Sequence, residues 1–437
     1  MPLIVPNSMT LEQKAAYLRT LPAIRERCGR VFELAKEGKL QYFDYHPEKE
    51  GDVTEFCLGI MTRDFGTNFT QIPPHGRWRH FDLGRPRVEP LLSKWQSQSL
   101  SDSKESSKRL IDLFIVSVLL DAGAGKDWSY TEKETGGKYS RSEGLAIASI
   151  HMFEDGLFSS DKSQPHKADA AALSKITVES IASHMQVSES NPLVGLEGRT
   201  SLLKNLSNAL LASPKLFGEE GRPGNMLDFL ESESKASPDG NTRQVPLAAL
   251  WHVLIEGLNP VWPATRTKLA GVSLGDVWPC QVLKETAQEE GDDLVPFHKL
   301  TQWMTYSVVE AIKQTMKWDI VGMEDMTGLP EYRNGGLLLD IGVLTLKPDV
   351  LPIDPISGLP KAASDHPAIV EWRALTVIML DRITSSIRAK LGLSPEQLNL
   401  AQVLESATWK GGREIAKSKR PRTGGPPMEL ESDGTVF

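Results

Sequence analysis

Apolar residues recur at helical spacing over most of the chain. Thr10-Leu11-Glu12-Gln13 has the spacing of a capping box, so a helix is predicted to start there. A second helix is expected after Pro22, ending at Gly38, because proline suits a first turn and glycine a left-handed stop. From about Val53 to Leu92 the pattern breaks. Gly59, Gly66, Gly76, Gly84 and Pro73-Pro74 lie among aromatic and Arg residues and predict loops and short irregular pieces. Ser101 to Ser107 is polar and expected to be exposed. A strongly apolar helix is predicted over about Lys108 to Asp121, stopping at Gly123-Ala124-Gly125. Ser142 is the expected N-cap of the next, with Glu143 in its first turn and an end near Gly156. Ser159 to Lys167 is expected to be a surface loop. Ser232 to Asn241, rich in turn formers, is the expected linker.

Further on, Pro296 is predicted at the first position of a long amphipathic helix. Leu300, Met304, Val308, Ala311 and Thr315 make its stripe. Leu337 to Leu346 follows Gly335-Gly336, is rich in Leu, Ile and Val, and is predicted to be a strand. Periodicity alone does not separate it from a buried helix. Asp365 is the expected cap of another long helix, with Pro367 just inside and Gly392 at its end. Ser394-Pro395-Glu396-Gln397 is expected to open the next. No repeat at solenoid periods is visible. The expected fold class is mainly α with a small β component (α+β). Three successive regions are expected. Residues 1–100 hold N-terminal helices and an Arg/aromatic loop region, and 101–240 a helical lobe. Residues 241–437 hold a helical lobe with a short strand and a basic C-terminal tail.

Length agrees with that division, since 437 residues suit two or three domains. Cys28, Cys57 and Cys280 are scattered and odd in number, so neither a disulfide framework nor a CxxC metal knuckle can be built. A reducing, cytoplasmic setting is expected. The formal net charge of −8 argues against broad electrostatic binding to nucleic acid. The longest apolar stretch, Leu110 to Leu120, is broken by Asp112 and Ser117 and falls short of the roughly 20 residues a bilayer span needs. Met1 to Pro6 lacks the basic and long apolar regions of a signal peptide. No nucleic-acid or membrane partner is expected, and oligomeric state is left open.

Several local patterns carry candidate chemistry. Asp121 to Lys126 superficially resembles a phosphate loop. Leu120 stands where the first glycine belongs, and Asp127 where Ser or Thr belongs. The segment is better read as a helix end, with Asp121 aimed into a site. Gly271-Val272-Ser273-Leu274-Gly275 matches GxSxG without the preceding strand that a nucleophile elbow needs. His75 and His80 flank Gly76-Arg77-Trp78-Arg79. Their spacing fits no standard metal site, and no metal or other cofactor is expected. The run is either a cationic wall, with Arg for oxyanions and Trp78 for stacking, or an ordinary surface loop. Phe297-His298-Lys299 opens the long helix, and a lysine there opposes the helix dipole, which points either to a ligand anion or to a solvated lysine. If Glu331-Tyr332-Arg333 is extended, Glu331 and Arg333 share one face beside Gly335-Gly336; a surface salt bridge is the plainer alternative. Trp251, Trp262, Trp278, Trp303 and Trp318 are core residues or a wall for a planar ligand. Lys410, Arg413, Lys417, Lys419, Arg420 and Arg422 form either a solvated tail or an anion clamp.

Longer phrases resemble a known family. They are Thr54 to Cys57 with Arg63-Asp64-Phe65, IPPHGRWRHF from Ile72, LLDAGAG from Leu119, RSEGLA from Arg141 and GRPGNM from Gly221. ALWHVLIEGLNPVWP from Ala249, PFHKLTQWMTYS from Pro296, EYRNGGLLLD from Glu331 and the terminal SDGTVF complete the set. Together they cover the chain and resemble the fungal and bacterial uracil catabolism protein four family. A fainter resemblance is to the queuosine salvage glycohydrolases. It implies a helical fold similar to helix-hairpin-helix DNA glycosylases and cleavage of an N-glycosidic bond. Here Glu331 stands where that group has the shorter Asp.

The resemblance implies a step in a uracil pathway that passes through ribosylurea: hydrolysis of the N-glycosidic bond of ribosylurea or its 5′-phosphate, releasing urea. Such a reaction needs a proton donor for the leaving nitrogen and a carboxylate for an oxocarbenium-like sugar. Glu331 is the expected principal carboxylate, with Asp121 or Glu143 as the second acid. Arg333, Lys299, His298, Arg77, Arg79 and Trp78 are the expected substrate-binding residues. Two alternatives belong to other classes: a non-catalytic nucleic-acid or partner-binding protein on the same scaffold, and an amidohydrolase acting on a ureido intermediate.

Overall fold

The structure is a computed structural model that describes residues 9–97, 103–121, 123–125 and 127–431. These residues are mainly helical, with short strands paired in twos and threes, which is the expected class. The segments Met1 to Pro6 and SDGTVF lie outside the described residues. Among the described residues no helix is long and apolar enough to cross a membrane. They form two compact units. The first combines the described part of 1–75 with Thr265–Lys299 and Glu324–Glu431. The second combines the described part of Gly76–Ala264 with Leu300–Met323.

In the first unit, Leu11–Leu18 and Leu21–Lys36 are helices, as predicted. Thr10 Oγ1 accepts from the Gln13 N–H, and Gln13 Oε1 accepts from the Thr10 N–H, which satisfies two otherwise orphaned donors. Ala15 and Leu18 bury their faces with Leu269, Leu274, Val277 and Leu294. The helix Pro367–Leu391 packs along Leu21–Lys36. Its cap is His366, which accepts from the Ala368 N–H, rather than Asp365. Ser394 to Gln397 makes only a turn. The next helix starts at Leu400, behind a capping box between Asn399 and Gln402.

Three further expectations change here. Glu50–Phe65 is a helix where loops were expected, because Val53, Cys57, Ile60 and Met61 form one buried stripe. Gly59 meets nothing within 4 Å and marks no break in it. Leu294–Pro296 is a strand paired with Val277–Pro279, so the long helix starts later, at Lys299, and runs to Met316. The run Leu337 to Leu346 is mostly the end of a helix, Tyr332–Ile341; only Leu344–Leu346 is strand, antiparallel to Phe43–Tyr45. The glycines misled because they mark close packing. A Cβ on Gly335 would lie 2.6 Å from Trp372 Cε2, and one on Gly336 3.0 Å from Pro427 Cδ.

In the second unit, Ser103–Leu119 is a helix buried along most of its length. It includes Ser106 and Ser107, which were expected to be exposed. The helix Arg141–Glu154 has Ser140 rather than Ser142 at its cap position. Ser232 to Asn241 is a hairpin rather than a linker. Lys235–Ala236 pairs with Arg243–Pro246, which also pairs in parallel with Asp319–Val321. Hairpins and linkers use the same turn-forming residues, and only the pairing tells them apart. The GRPGNM phrase is a clasp: Arg222 Nε and the Gly224 N–H both donate to buried Asp112, at 2.8 and 2.7 Å. A Cβ on Gly224 would lie 2.4 Å from the Lys108 carbonyl oxygen.

Candidate active site

The first unit brings Glu331, Lys299, His298 and Arg333 together around two residues that no sequence motif singled out, Asp276 and Arg373. Glu331 is not in an extended segment. It is the N-cap of Tyr332–Ile341, with Oε2 accepting from the Arg333 N–H at 2.8 Å and Oε1 from the Asn334 N–H at 2.7 Å. Burial pushes its carboxyl above the usual glutamate range. The two helix N–H groups and the charges of Lys299 and Arg333 pull the other way without overcoming it. The Arg333 side chain turns away from that carboxylate. Its Nη1 donates to the Gly424 carbonyl at 2.7 Å, and its guanidinium lies 5.0 Å from the Tyr332 ring centroid.

Lys299 is the first residue of its helix and half-buried, and its backbone N–H donates to Asp276 Oδ2 at 2.9 Å. His298 is fully buried. Its Nε2 donates to the Leu18 carbonyl at 2.8 Å, and burial lowers its pKa, so the ring is a neutral anchor for the end of Leu11–Leu18. Asp276 accepts from Arg373 Nη1 and Nη2, both at 2.8 Å, and from Trp278 Nε1 at 2.6 Å. Burial alone would raise its pKa. The Arg373 guanidinium and the other donors hold it far below the usual range, so it stays ionised. The Arg266 guanidinium sits 4.9 Å from the Trp278 ring centroid. One sequence signal for this cluster exists in hindsight: Glu371 and Arg373 interrupt the largely apolar first half of their helix, and a charge there must find a partner.

The basic C-terminal run belongs to the same unit and is no loose tail. Lys410 to Lys419 continue the helix Trp409–Lys419, which packs on Tyr332–Ile341. Lys410 bonds Asp64, Arg420 Nη1 bonds Asp340 at 2.8 Å, and Glu429–Glu431 pairs with Lys361–Ala363. A Cβ on Gly412 would lie 2.1 Å from the Arg333 carbonyl oxygen, so the helix seats directly on the backbone beside Glu331.

The remaining predicted residues fall in the second unit. Arg77 is fully buried and its donors are spent within that unit: Nε on Ser117 Oγ at 2.9 Å, Nη1 on Asp121 Oδ2 at 2.6 Å, and Nη2 on the Ser117 carbonyl at 3.1 Å. Burial lowers its pKa, and the negative charges of Asp121 and Glu143 oppose that shift. Arg79 Nη2 pairs with Glu310 at 2.5 Å, and Trp78 Nε1 donates to Asp82 at 2.9 Å. Glu143 is buried in the first turn of Arg141–Glu154. The GxSxG segment is a small hairpin, Lys268–Leu269 with Val272–Ser273, and not a strand-to-helix elbow. Ala122 and Lys126 of the loop after Asp121 lie outside the described residues. Among the described residues no three His, Cys, Asp or Glu side chains are grouped to hold a metal ion.

The phrases that build this cluster, PFHK and EYRNGG, are also among those that carry the family resemblance. The chain belongs to the DUF1688 family, described as a protein of unknown function, whose model matches residues 17–437. Among its relatives is "Uracil catabolism protein 4" of Lachancea kluyveri, 42% identical over 448 aligned positions that cover 98% of this chain and all of that one. "Protein urg3" of Schizosaccharomyces pombe is 42% identical over 429 positions, covering 97% and 99% of the two chains. The resemblance drawn from the long phrases is therefore a full-length relationship.

Proposed function

We propose that this protein acts in uracil catabolism as an N-ribosylhydrolase, splitting ribosylurea or its 5′-phosphate into urea and the sugar. The pathway part of the reading is supported by the name of the Lachancea relative. The observation that carries the chemistry is the Glu331 carboxyl: buried, raised in pKa, and within the field of the Lys299 ammonium. Water supplies the hydroxyl that ends on C1′, and the C1′–N bond breaks with its electron pair going to the ureido nitrogen, which takes a proton. A carboxyl with a raised pKa is better suited to handing over that proton than an ordinary glutamate, and as a carboxylate it stabilises positive charge on the sugar. Lys299 offers a cation to an anionic substrate group.

The test is urea release from ribosylurea and from ribosylurea 5′-phosphate, with Glu331→Gln alongside. Release from one of them, lost in the variant while its circular dichroism stays native, is the expected result. Release that is undiminished in Glu331→Gln removes Glu331 from the chemistry. Release from neither compound overturns the substrate.

A further inference from the structure

Three successive backbone N–H groups converge on Asp276. Those of Phe297 and His298 reach its carbonyl oxygen at 2.9 and 3.3 Å, and that of Lys299 reaches its Oδ2 at 2.9 Å. To make this turn His298 takes a φ of +47°, a left-handed conformation that residues with a Cβ rarely adopt. On the other side of the ion pair, Arg373 Nε reaches the Pro330 carbonyl at 3.4 Å, one residue before Glu331. The same guanidinium lies 4.1 Å from the Phe297 ring centroid, one residue before His298. Asp276 and Arg373 are at most 1% exposed, so neither is available to a substrate. A buried ion pair of this kind adds little net stability over an apolar pair of equal volume. What it supplies is a fixed direction and distance, because the two-pronged guanidinium–carboxylate bond has a single good geometry.

We propose that Asp276 and Arg373 are the positioning pair of the site. Asp276 fixes the backbone that carries Lys299, Arg373 fixes the backbone that carries Glu331, and the bond between them sets the separation of ammonium and carboxyl. The proposal rests on Glu331 being the working carboxyl. The charged groups that act on Glu331 are Lys299 and Arg333, and the Arg333 guanidinium has its own anchor on Gly424. Loosening the pair therefore changes the influence of Lys299 first.

The experiment follows the Glu331 carboxyl by 13C NMR titration of the full chain, its signal assigned by its loss in Glu331→Gln. It compares wild type, Arg373→Lys, Lys299→Met and the double variant. Arg373→Lys keeps the charge but cannot span both Asp276 oxygens and Pro330. Asp276→Asn, which also removes a negative charge and so lowers the Glu331 midpoint directly, stands in if Arg373→Lys does not fold, read as its difference with and without Lys299→Met. Arg373→Lys is expected to raise the Glu331 midpoint in the same direction as Lys299→Met, and the double variant to add nothing to Lys299→Met. Urea release is expected to lose on the order of 10²-fold in kcat with KM changed far less. A folded Arg373→Lys whose Glu331 titrates as in wild type overturns the proposal, as does an Asp276→Asn whose effect is the same with and without Lys299→Met, or a Lys299→Met that leaves Glu331 unmoved. If neither pair variant folds, the pair serves stability and the proposal falls. Wild type that releases no urea defeats the substrate reading alone, since the titration still decides the positioning.

Discussion

Each unit buries an aspartate–arginine pair, and the two aspartates shift in opposite directions. In the first unit Asp276 faces Arg373 end-on, both guanidinium nitrogens reach it at 2.8 Å, and its carboxyl is held far below the usual range despite burial. In the second unit Asp112 receives only Nε of Arg222, at 2.8 Å, while the two other nitrogens go to Glu105 at 3.0 and 3.1 Å. Burial wins there, and the Asp112 carboxyl is pushed up to about 6. Both aspartates are fully buried and each has an arginine, so neither burial nor the presence of a partner explains the difference. What differs is how the guanidinium is shared. One cation divided between two carboxylates leaves the fully buried Asp112 under-compensated in a medium that stabilises charge poorly, whereas Glu105, less buried and also bonded by Arg109 Nε at 3.1 Å, is held below its usual range.

The largest effect should come from removing the undivided partner. Asp276→Ala leaves Arg373 buried without a carboxylate and is expected to cost about 3–5 kcal/mol in denaturant unfolding. Asp112→Asn at pH 7 should cost clearly less, because Arg222 keeps Glu105 and the group removed was poorly compensated. Equal losses would break the comparison.

The pH dependence of stability sharpens it, with opposite signs. Asp112 binds its proton more tightly folded than unfolded. Its contribution is therefore full below the unfolded value of 3.8 and is lost as pH rises through about 6. Asp276 binds its proton more weakly when folded. Its contribution is present above the unfolded value of 3.8 and is lost as pH falls below it. The deficit of Asp112→Asn relative to wild type should shrink between about pH 4 and 6, whereas that of Asp276→Asn should stay level there, as read from unfolding midpoints at each pH. Glu331 shares the sign of Asp112. Its raised pKa means that stability is lost as pH climbs from 4.5 through its folded value, a slope that Glu331→Gln should remove.

Smaller effects test whether the first unit is tightly fitted around the pair. Gly335→Ala forces a methyl to 2.6 Å from Trp372 and is expected to cost about 1–3 kcal/mol. It should lower activity as well, because Gly335 follows the cap at Glu331 by one turn. Thr10→Ala removes a cap far along the chain from these residues. It should cost about 1 kcal/mol, with urea release unchanged. A Thr10→Ala loss as large as that of Gly335→Ala would mean that the fit around Trp372 is not special.

Much of the fold was legible in the sequence, and the failures have particular causes. The Thr10–Gln13 cap and the stops at Gly38 and Gly392 depend on residues within a turn of one another, and they stand where the pattern put them. The helix Glu50–Phe65 was missed because Gly59 and the turn formers beyond it weighed more than a buried stripe. Gly335-Gly336 suggested a turn before a strand because the side chains they make room for, Trp372 and Pro427, are remote in sequence. Of the candidate site, Glu331, Lys299, His298 and Arg333 were named from their motifs. Asp276 and Arg373 were not: Asp276 is unremarkable among its own neighbours, and Arg373, a charge within an apolar run, does not tell which residue pairs with it.

The sequence by itself determined the helical class, the cap at Thr10, the stops at Gly38 and Gly392, and the family, because these follow from short-range spacing or from long matched phrases. Tertiary structure alone decided that Glu331 caps a helix instead of sharing a strand face with Arg333, and that the basic run is a packed helix. It also decided that Asp276 and Arg373, 97 positions apart, meet in one bond. A cap is satisfied by atoms within a few residues, whereas a buried charge takes whichever partner the fold delivers, and that partner can be anywhere along the chain.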